Sequence, residues 1–224
     1  MTRALVILGT GGRAYEILDI IEAINAREPS WKVLGFLDDA KARGSRHLGF
    51  EVLGSLGDAT RLDPFMCVNS IGSEKNYIDL PEILAATRLL PTRFATLVHP
   101  LAAVSSRARL GHGVVVNHGV SVSGGVRIGH HVTLSAGCVI GHDCTIEDYS
   151  IMAPGSTISG FVNLGRACYL GAGSVVRQRV NVGEFALVGM GSVVLKSVNS
   201  GEVVVGNPAR LLRNIKNIRL AREA

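Results

Sequence analysis

One histidine of this chain stands directly before an acid, in His142-Asp143. An imidazole beside a carboxylate is a general acid–base pair, because the acid can polarise a ring that titrates near neutral pH. Six other histidines compete for that role: His47, His99, His112, His118, His130 and His131. Near the start, Gly9-Thr10-Gly11-Gly12-Arg13-Ala14 has the form G-x-G-x-x-A. Bare backbone N–H groups at such a turn suit a phosphate held at a helix N-terminus. Asp38-Asp39 ends the next strand-like run, where an acid suits a ribose hydroxyl. Two adjacent acids there should point to opposite sides, one to a ligand and one to solvent. Cys67, Cys138, Cys144 and Cys168 are potential nucleophiles or metal ligands.

The elements that must position these residues follow from a repeat. From Val98 to Val194 every sixth residue is aliphatic, seventeen positions in all. A second series, Thr96, Ala102, Ala108, Val114 and on to Ser192, keeps the same period, and its members are all small. Period six fits neither an α-helix nor an ordinary strand. It fits the hexapeptide parallel β-helix, in which three hexapeptides close one triangular coil. The large aliphatic residue fills the interior and the small one fits near the corner. Glycines recur after the aliphatic residue and again three residues after it, as at Gly111 and Gly113, where the chain must turn.

Residues one coil apart stack, and stacking ranks the histidines. His112 stacks on His130, Asp148, Arg166 and Glu184, a ladder of charge that reads as structural. His118 stacks on Ala136, Pro154 and Ala172. His142 stacks between Gly124 and Gly160, so a ligand has room beside its ring, and Gly160 becomes a candidate for the acyl pocket. Three of the cysteines occupy the small slot of the repeat and read as buried, reduced thiols, which argues against an acyl-cysteine intermediate.

The N-terminal part alternates strand and helix. The expected order is a buried strand over 3–8, the glycine turn, a helix through YEILDIIEAIN, and a strand from Lys32 to Leu37. Short strands near 51–53 and 65–71 and a helix over 77–88 follow. The fold class expected is an α/β Rossmann-like domain over 1–95 joined to a left-handed parallel β-helix over 96–205. Residues 206–224 read as an amphipathic helix, with Leu211, Leu212, Ile215 and Ile218 opposite Arg210, Arg213, Lys216, Arg219 and Arg222. The N-terminal domain is expected to cap one end of the β-helix.

Net charge is +5 over 224 residues, with 47% hydrophobic residues. No stacking aromatics are interleaved with the charge, so nucleic acid is not the expected partner. No apolar run is long enough to span a bilayer and MTRALVILGTGG does not read as a signal peptide, so a cytoplasmic protein without membrane insertion is expected.

Together, Gly9–Ala14, Phe36-Leu37-Asp38-Asp39, the hexapeptide coils, Gly141-His142-Asp143-Cys144-Thr145-Ile146, Ala153-Pro154-Gly155-Ser156 and Gly206-Asn207-Pro208-Ala209-Arg210 resemble one group of acyltransferases. These are the bacterial nucleotide-sugar N-acetyltransferases of the bacillosamine type and their sialic acid O-acetyltransferase relatives. The resemblance spans the whole chain. It implies acetyl-CoA-dependent N-acetylation of a nucleotide-linked amino sugar for cell-surface glycan synthesis, by direct transfer with His142 as base and Asp143 polarising it. It also implies sugar-nucleotide contacts at Gly11, Gly12, Arg13, Asp38, Asp39 and Gly72, and acetyl-CoA contacts at Ile151, Gly160, Ala172 and Met190. A homotrimer with acetyl-CoA in a groove between two β-helices is expected, and no metal. Three positions depart from the family pattern: Arg13 and Ile151 stand where histidines are usual, and Ser135 where asparagine is. The competing readings are O-acetylation of a sialic-acid-like sugar, a non-catalytic β-helix scaffold, and a nicotinamide oxidoreductase built on the glycine turn.

Overall fold

The computed structural model describes residues 2–62 and 65–215. Its N-terminal domain is a five-stranded sheet of β1 (Arg3–Leu8), β2 (Trp31–Leu37), β3 (Arg46–His47), β4 (Phe50–Gly54) and β5 (Met66–Asn69), in the order β3-β4-β2-β1-β5. β1 pairs in parallel with β2 and β5, and β2 with β4; only the short β3 is antiparallel. α1 (Arg13–Arg27) follows β1 and buries Ala14, Ile17, Ile20 and Ile21 against the sheet. The helix expected over 77–88 is shorter: a 3-10 turn at Tyr77–Asp79 leads into α2 (Leu80–Ala85).

From Leu97 the chain winds as a three-sided β-helix of two-residue strands, each paired in parallel with the strand one coil on, as Ser121 with Val139 and Val122 with Ile140. The second residue of each strand points inward, so Val122, Leu134, Ile140, Ile146, Met152 and Ile158 fall in one continuous core with the small series. The two glycine series have different causes. A Cβ on Gly111 would lie 2.6 Å from the Gly129 carbonyl of the next coil, so that series permits close stacking. Gly137 has φ +69°, so the other series supplies left-handed corners.

The outward residues differ from face to face. The first face carries Leu97, Val115, Thr133, Ile151, Tyr169 and Leu187, mostly apolar. The second carries Ala103, Ser121, Val139, Thr157, Val175 and Val193, all small or β-branched. The third carries Arg109, Arg127, Thr145, Asn163 and Asn181, all polar. Burial of apolar area selects the first face as the seat of the N-terminal domain. Val115 packs with Leu5, Ala14 and Ile17, and Ile151, Tyr169 and Leu187 pack with Val6, Leu8, Tyr77 and Leu80. The Tyr77 hydroxyl donates to the Phe185 carbonyl at 3.0 Å. The domain therefore lies along the side of the β-helix and does not cap its end, contrary to the sequence expectation.

The tail is also corrected where it is described. Arg210–Asn214 is a strand, antiparallel to Glu202–Val205, and both extend the first face. Lys216, Ile218, Arg219 and Arg222 lie outside the described residues.

Candidate active site

His142 sits on the corner between the second and third faces, in the turn that joins Val139–Ile140 to Thr145–Ile146. Its Nδ1 lies 2.9 Å from Asp143 Oδ2. Asp143 reaches it because its backbone is left-handed, φ +56°. Donation from Nδ1–H to the carboxylate leaves the lone pair on Nε2, the arrangement of a base. The ring is not open on both sides. It leans over Gly160, where an added Cβ would come within 2.8 Å of Nε2, while an added Cβ on Gly124 would meet Ser105 and Arg107 instead. Gly160 is thus the floor under the imidazole. The edge-to-face contact of Phe161 with the ring, centroids 4.9 Å apart, fixes its tilt.

The other histidines are occupied differently. His118 Nδ1 meets Asn117 Oδ1 at 2.9 Å, and Asn117 donates to Glu16 of α1 at 3.2 Å. His112 and His130 stack at 5.4 Å, with His130 Nδ1 accepting from the His112 amide and Asp148 Oδ1 from the His130 amide. Those rungs fasten coil to coil. Burial pushes all four thiols up, Cys67 to about 12, so none is a thiolate nucleophile at neutral pH.

A cleft of about 410 Å³ opens at the C-terminal ends of β1, β2 and β5. Gly11, Gly12, Arg13, Asp38, Asp39 and Gly72, the residues named from sequence, all line it. Gly9, Thr10, Ala40, Leu56, Ser70, Ile71, Ser73, Asn76 and Ile83 complete it. Gly9 and Thr10 belong to the glycine turn read from sequence; sequence reasoning passed over the others, although Ser70–Asn76 follows a strand end, where ligands of parallel sheets gather. Both acids accept hydrogen bonds within the chain, although Asp39 is exposed. Asp38 accepts from Thr10 N and Oγ1, both at 2.7 Å, and from Ala40 N at 2.8 Å; Asp39 Oδ1 accepts from Leu56 N at 2.8 Å. Burial alone would favour neutral Asp38, but those bonds and the Lys41 charge outweigh it and hold the carboxyl below the usual range. Asp38 therefore braces the glycine turn, while Asp39 uses only Oδ1 on the Leu56 amide.

Arg13 is a tie between domains. It donates to Ile71 O at 3.0 Å and to Thr133 Oγ1 of the β-helix. Desolvation lowers its pKa to about 10, offset in part by Glu16. Gly72 permits this approach, since a Cβ there would lie 2.7 Å from Arg13 Nη1 and 2.6 Å from Ile151 Cδ1. Ile151, expected beside acetyl-CoA, is only 3% exposed and fills the seam under Gly72. Ala172 and Met190 are exposed, on the corner between the first and second faces. Among the described residues no group of three His, Cys, Asp or Glu is placed to hold a metal, and no helix is long and apolar enough to cross a membrane.

Two family models match: the PglD N-terminal domain over residues 4–76 and the bacterial transferase hexapeptide (six repeats) over 125–160. No curated protein matches. The acetyltransferase domain of PglB from Neisseria gonorrhoeae FA1090, in complex with acetyl coenzyme A, is 30% identical over 95% of this chain and 100% of its own, with a TM-score of 0.79. A mutant of perosamine N-acetyltransferase from Caulobacter crescentus, in complex with CoA and GDP-perosamine, is 27% identical over 94% of this chain and 97% of its own, with a TM-score of 0.80. WeeI from Acinetobacter baumannii AYE is 25% identical over 94% and 100%, with a TM-score of 0.79. By motif, fold and full-length similarity, the chain belongs to the nucleotide-sugar acetyltransferases of the hexapeptide-repeat family.

Proposed function

We propose that this acetyltransferase moves the acetyl group of acetyl-CoA onto the amine of a nucleotide-linked amino sugar, with His142 as general base. The observation that carries the reading is the 2.9 Å His142–Asp143 contact, which leaves Nε2 free at an exposed corner. The amine attacks the thioester carbonyl and His142 Nε2 takes its proton. A backbone N–H holds the oxyanion of the tetrahedral intermediate. The C–S bond then breaks, and the proton passes from the imidazolium to the departing thiolate. No atom of the enzyme is acylated. An amine is preferred to a hydroxyl because the Caulobacter relative is an N-acetyltransferase bound to GDP-perosamine.

The sugar nucleotide would occupy the cleft of Gly11, Gly12, Asp39 and Gly72, with acetyl-CoA passing Ala172 and Met190. That cleft belongs to the domain on the first face, and His142 is on the corner opposite that face. One chain therefore cannot serve one sugar with both. We place each site between subunits of a homotrimer, in the cytoplasm, where acetyl-CoA is made.

Thiol release from acetyl-CoA, followed across a panel of nucleotide-linked amino sugars, tests this. One sugar should support turnover, and His142→Ala should lower it roughly 10²–10⁴-fold, the usual cost of a positioned base. Unchanged turnover in that variant, or activity only with sugars lacking an amine, would sink the proposal.

A further inference from the structure

The three corners of the β-helix solve the same backbone problem with different residues. From Gly113 to Gly191 each turn carries one left-handed residue. On the corner between the first and second faces it is always glycine: Gly119, Gly137, Gly155, Gly173 and Gly191. On the corner between the third and first faces it is largely not, but there His131, Tyr149 and Phe185 are drawn into the seam with the N-terminal domain. His131 packs on Phe94 and Tyr149, and the Phe185 carbonyl accepts from Tyr77. On the His142 corner, Gly125 (φ +76°) holds the left-handed position in one coil, and Asp143, Phe161 and Arg179 hold it in the next three, φ +56°, +60° and +63°. All three are exposed, and no seam explains them. Glycine would be less strained at each, so these side chains are retained against a backbone cost.

Asp143 already has a use, on His142. Phe161 backs the His142 ring, and the Arg179 guanidinium stacks on Phe161 with its carbon 4.6 Å from the ring centroid. Stacking on an aromatic face orients the guanidinium while leaving its edge N–H groups to donate. Exposed Arg177 and Lys196 stand on the same corner. At the usual strand spacing, Arg179 lies about 10 Å and Lys196 about 14 Å along the axis from His142. The corner thus carries a base, then an aromatic, then a run of cations, all in one line.

We propose that Arg179, seated on Phe161 and supported by Arg177 and Lys196, holds the phosphate groups of acetyl-CoA. This rests on the acyl-transfer reading above and adds a direction to it. The thioester lies at His142 and the phosphate end points toward the C-terminal coils, level with Ala172 and Met190 of the facing subunit. A guanidinium is suited to phosphate, since its planar fork donates two parallel hydrogen bonds. The other diphosphate in the reaction is the sugar nucleotide's, whose cleft in the shared site belongs to the neighbouring subunit, and the nucleoside diphosphate titration below separates the two.

Arg179→Gly removes the guanidinium and relieves the backbone, so the variant should fold and melt at or above the wild-type temperature. Calorimetry with CoA, 3′-dephospho-CoA and pantetheine, and separately with a nucleoside diphosphate, reads the site without requiring turnover. The full-length variant should lose about 10-fold in CoA affinity, the size of one charged hydrogen bond. Its pantetheine and nucleoside diphosphate affinities should stay as in the wild type. Equal losses for CoA and pantetheine, or a loss confined to the nucleoside diphosphate, would overturn the assignment, as would no loss at all. If wild-type protein bound no CoA, the acyl-transfer reading would fall and this one with it. If it bound CoA and Arg179→Gly bound it equally well, only this one would fall.

Discussion

At the scale of single residues, the side chains near the candidate site are held by neighbours that sequence spacing does not display. Arg13 is the clearest case. Its guanidinium joins the glycine-turn helix, the exit of β5 and Thr133 of the β-helix, and desolvation makes an unpaired charge there expensive. Removing the donor or the acceptor should then cost stability through the same contact. Arg13→Ala and Thr133→Val should each destabilise. In a double-mutant cycle followed by urea unfolding, their coupling should be about 1–3 kcal/mol, as for a hydrogen bond to a charged group. Strictly additive effects would mean the two residues do not act together. The same tie gives this arginine a role of its own: its long side chain reaches past the cleft into the seam.

At the scale of elements, the seam between the first face and the N-terminal domain carries a titrating group. His131 is 4% exposed, edge-on to Phe94 and stacked on Tyr149. Desolvation, reinforced by His130, lowers its pKa from 6.5 to about 4, against a smaller opposing pull from Asp148. A folded-state pKa below the unfolded one means the unfolded chain binds the proton first. Stability should therefore fall as pH drops from about 6.5 toward 4, by up to about 3 kcal/mol from this residue, and level off below that. His131→Phe should flatten that part of the stability–pH curve. An equally steep curve in the variant would place the acid sensitivity elsewhere.

At the scale of the whole molecule, the cleft and His142 face away from each other across the β-helix. A site shared between subunits can be detected by mixing two inactive variants. Gly11→Phe fills the cleft, since a Cβ on Gly11 meets nothing within 4 Å and its backbone is not left-handed. His142→Ala removes the base. Co-refolded in equal amounts, the two should regain about a quarter of wild-type turnover, because each site then draws on two independently mixed subunits. A mixture as inactive as its parents would indicate that cleft and base act within one chain.

The sequence alone determined the β-helix, because an interior with one geometry per hexapeptide imposes a strict period that no surface residue can hide. It also determined β1 and β2 with the glycine turn between them, since buried parallel strands read as apolar runs and the turn needs glycine. His142 stood out from the stacked histidines for the same reason: a repeat converts spacing into contact. The tertiary structure alone decided what lies beside each repeat. The side-on seat of the N-terminal domain depends on which outward residues align over coils, a sum over distant positions. The burial of Ile151 follows from that seat. The strand at Arg210–Asn214 was hidden because its alternation with arginine suits a helix face, yet a free sheet edge at Glu202–Val205 was there to pair with it. Phe161 and Arg179 were invisible as a pair until the coil placed one above the other, although their marker was present throughout: two large residues at turns where the neighbouring corner uses glycine in every coil from Gly119 to Gly191.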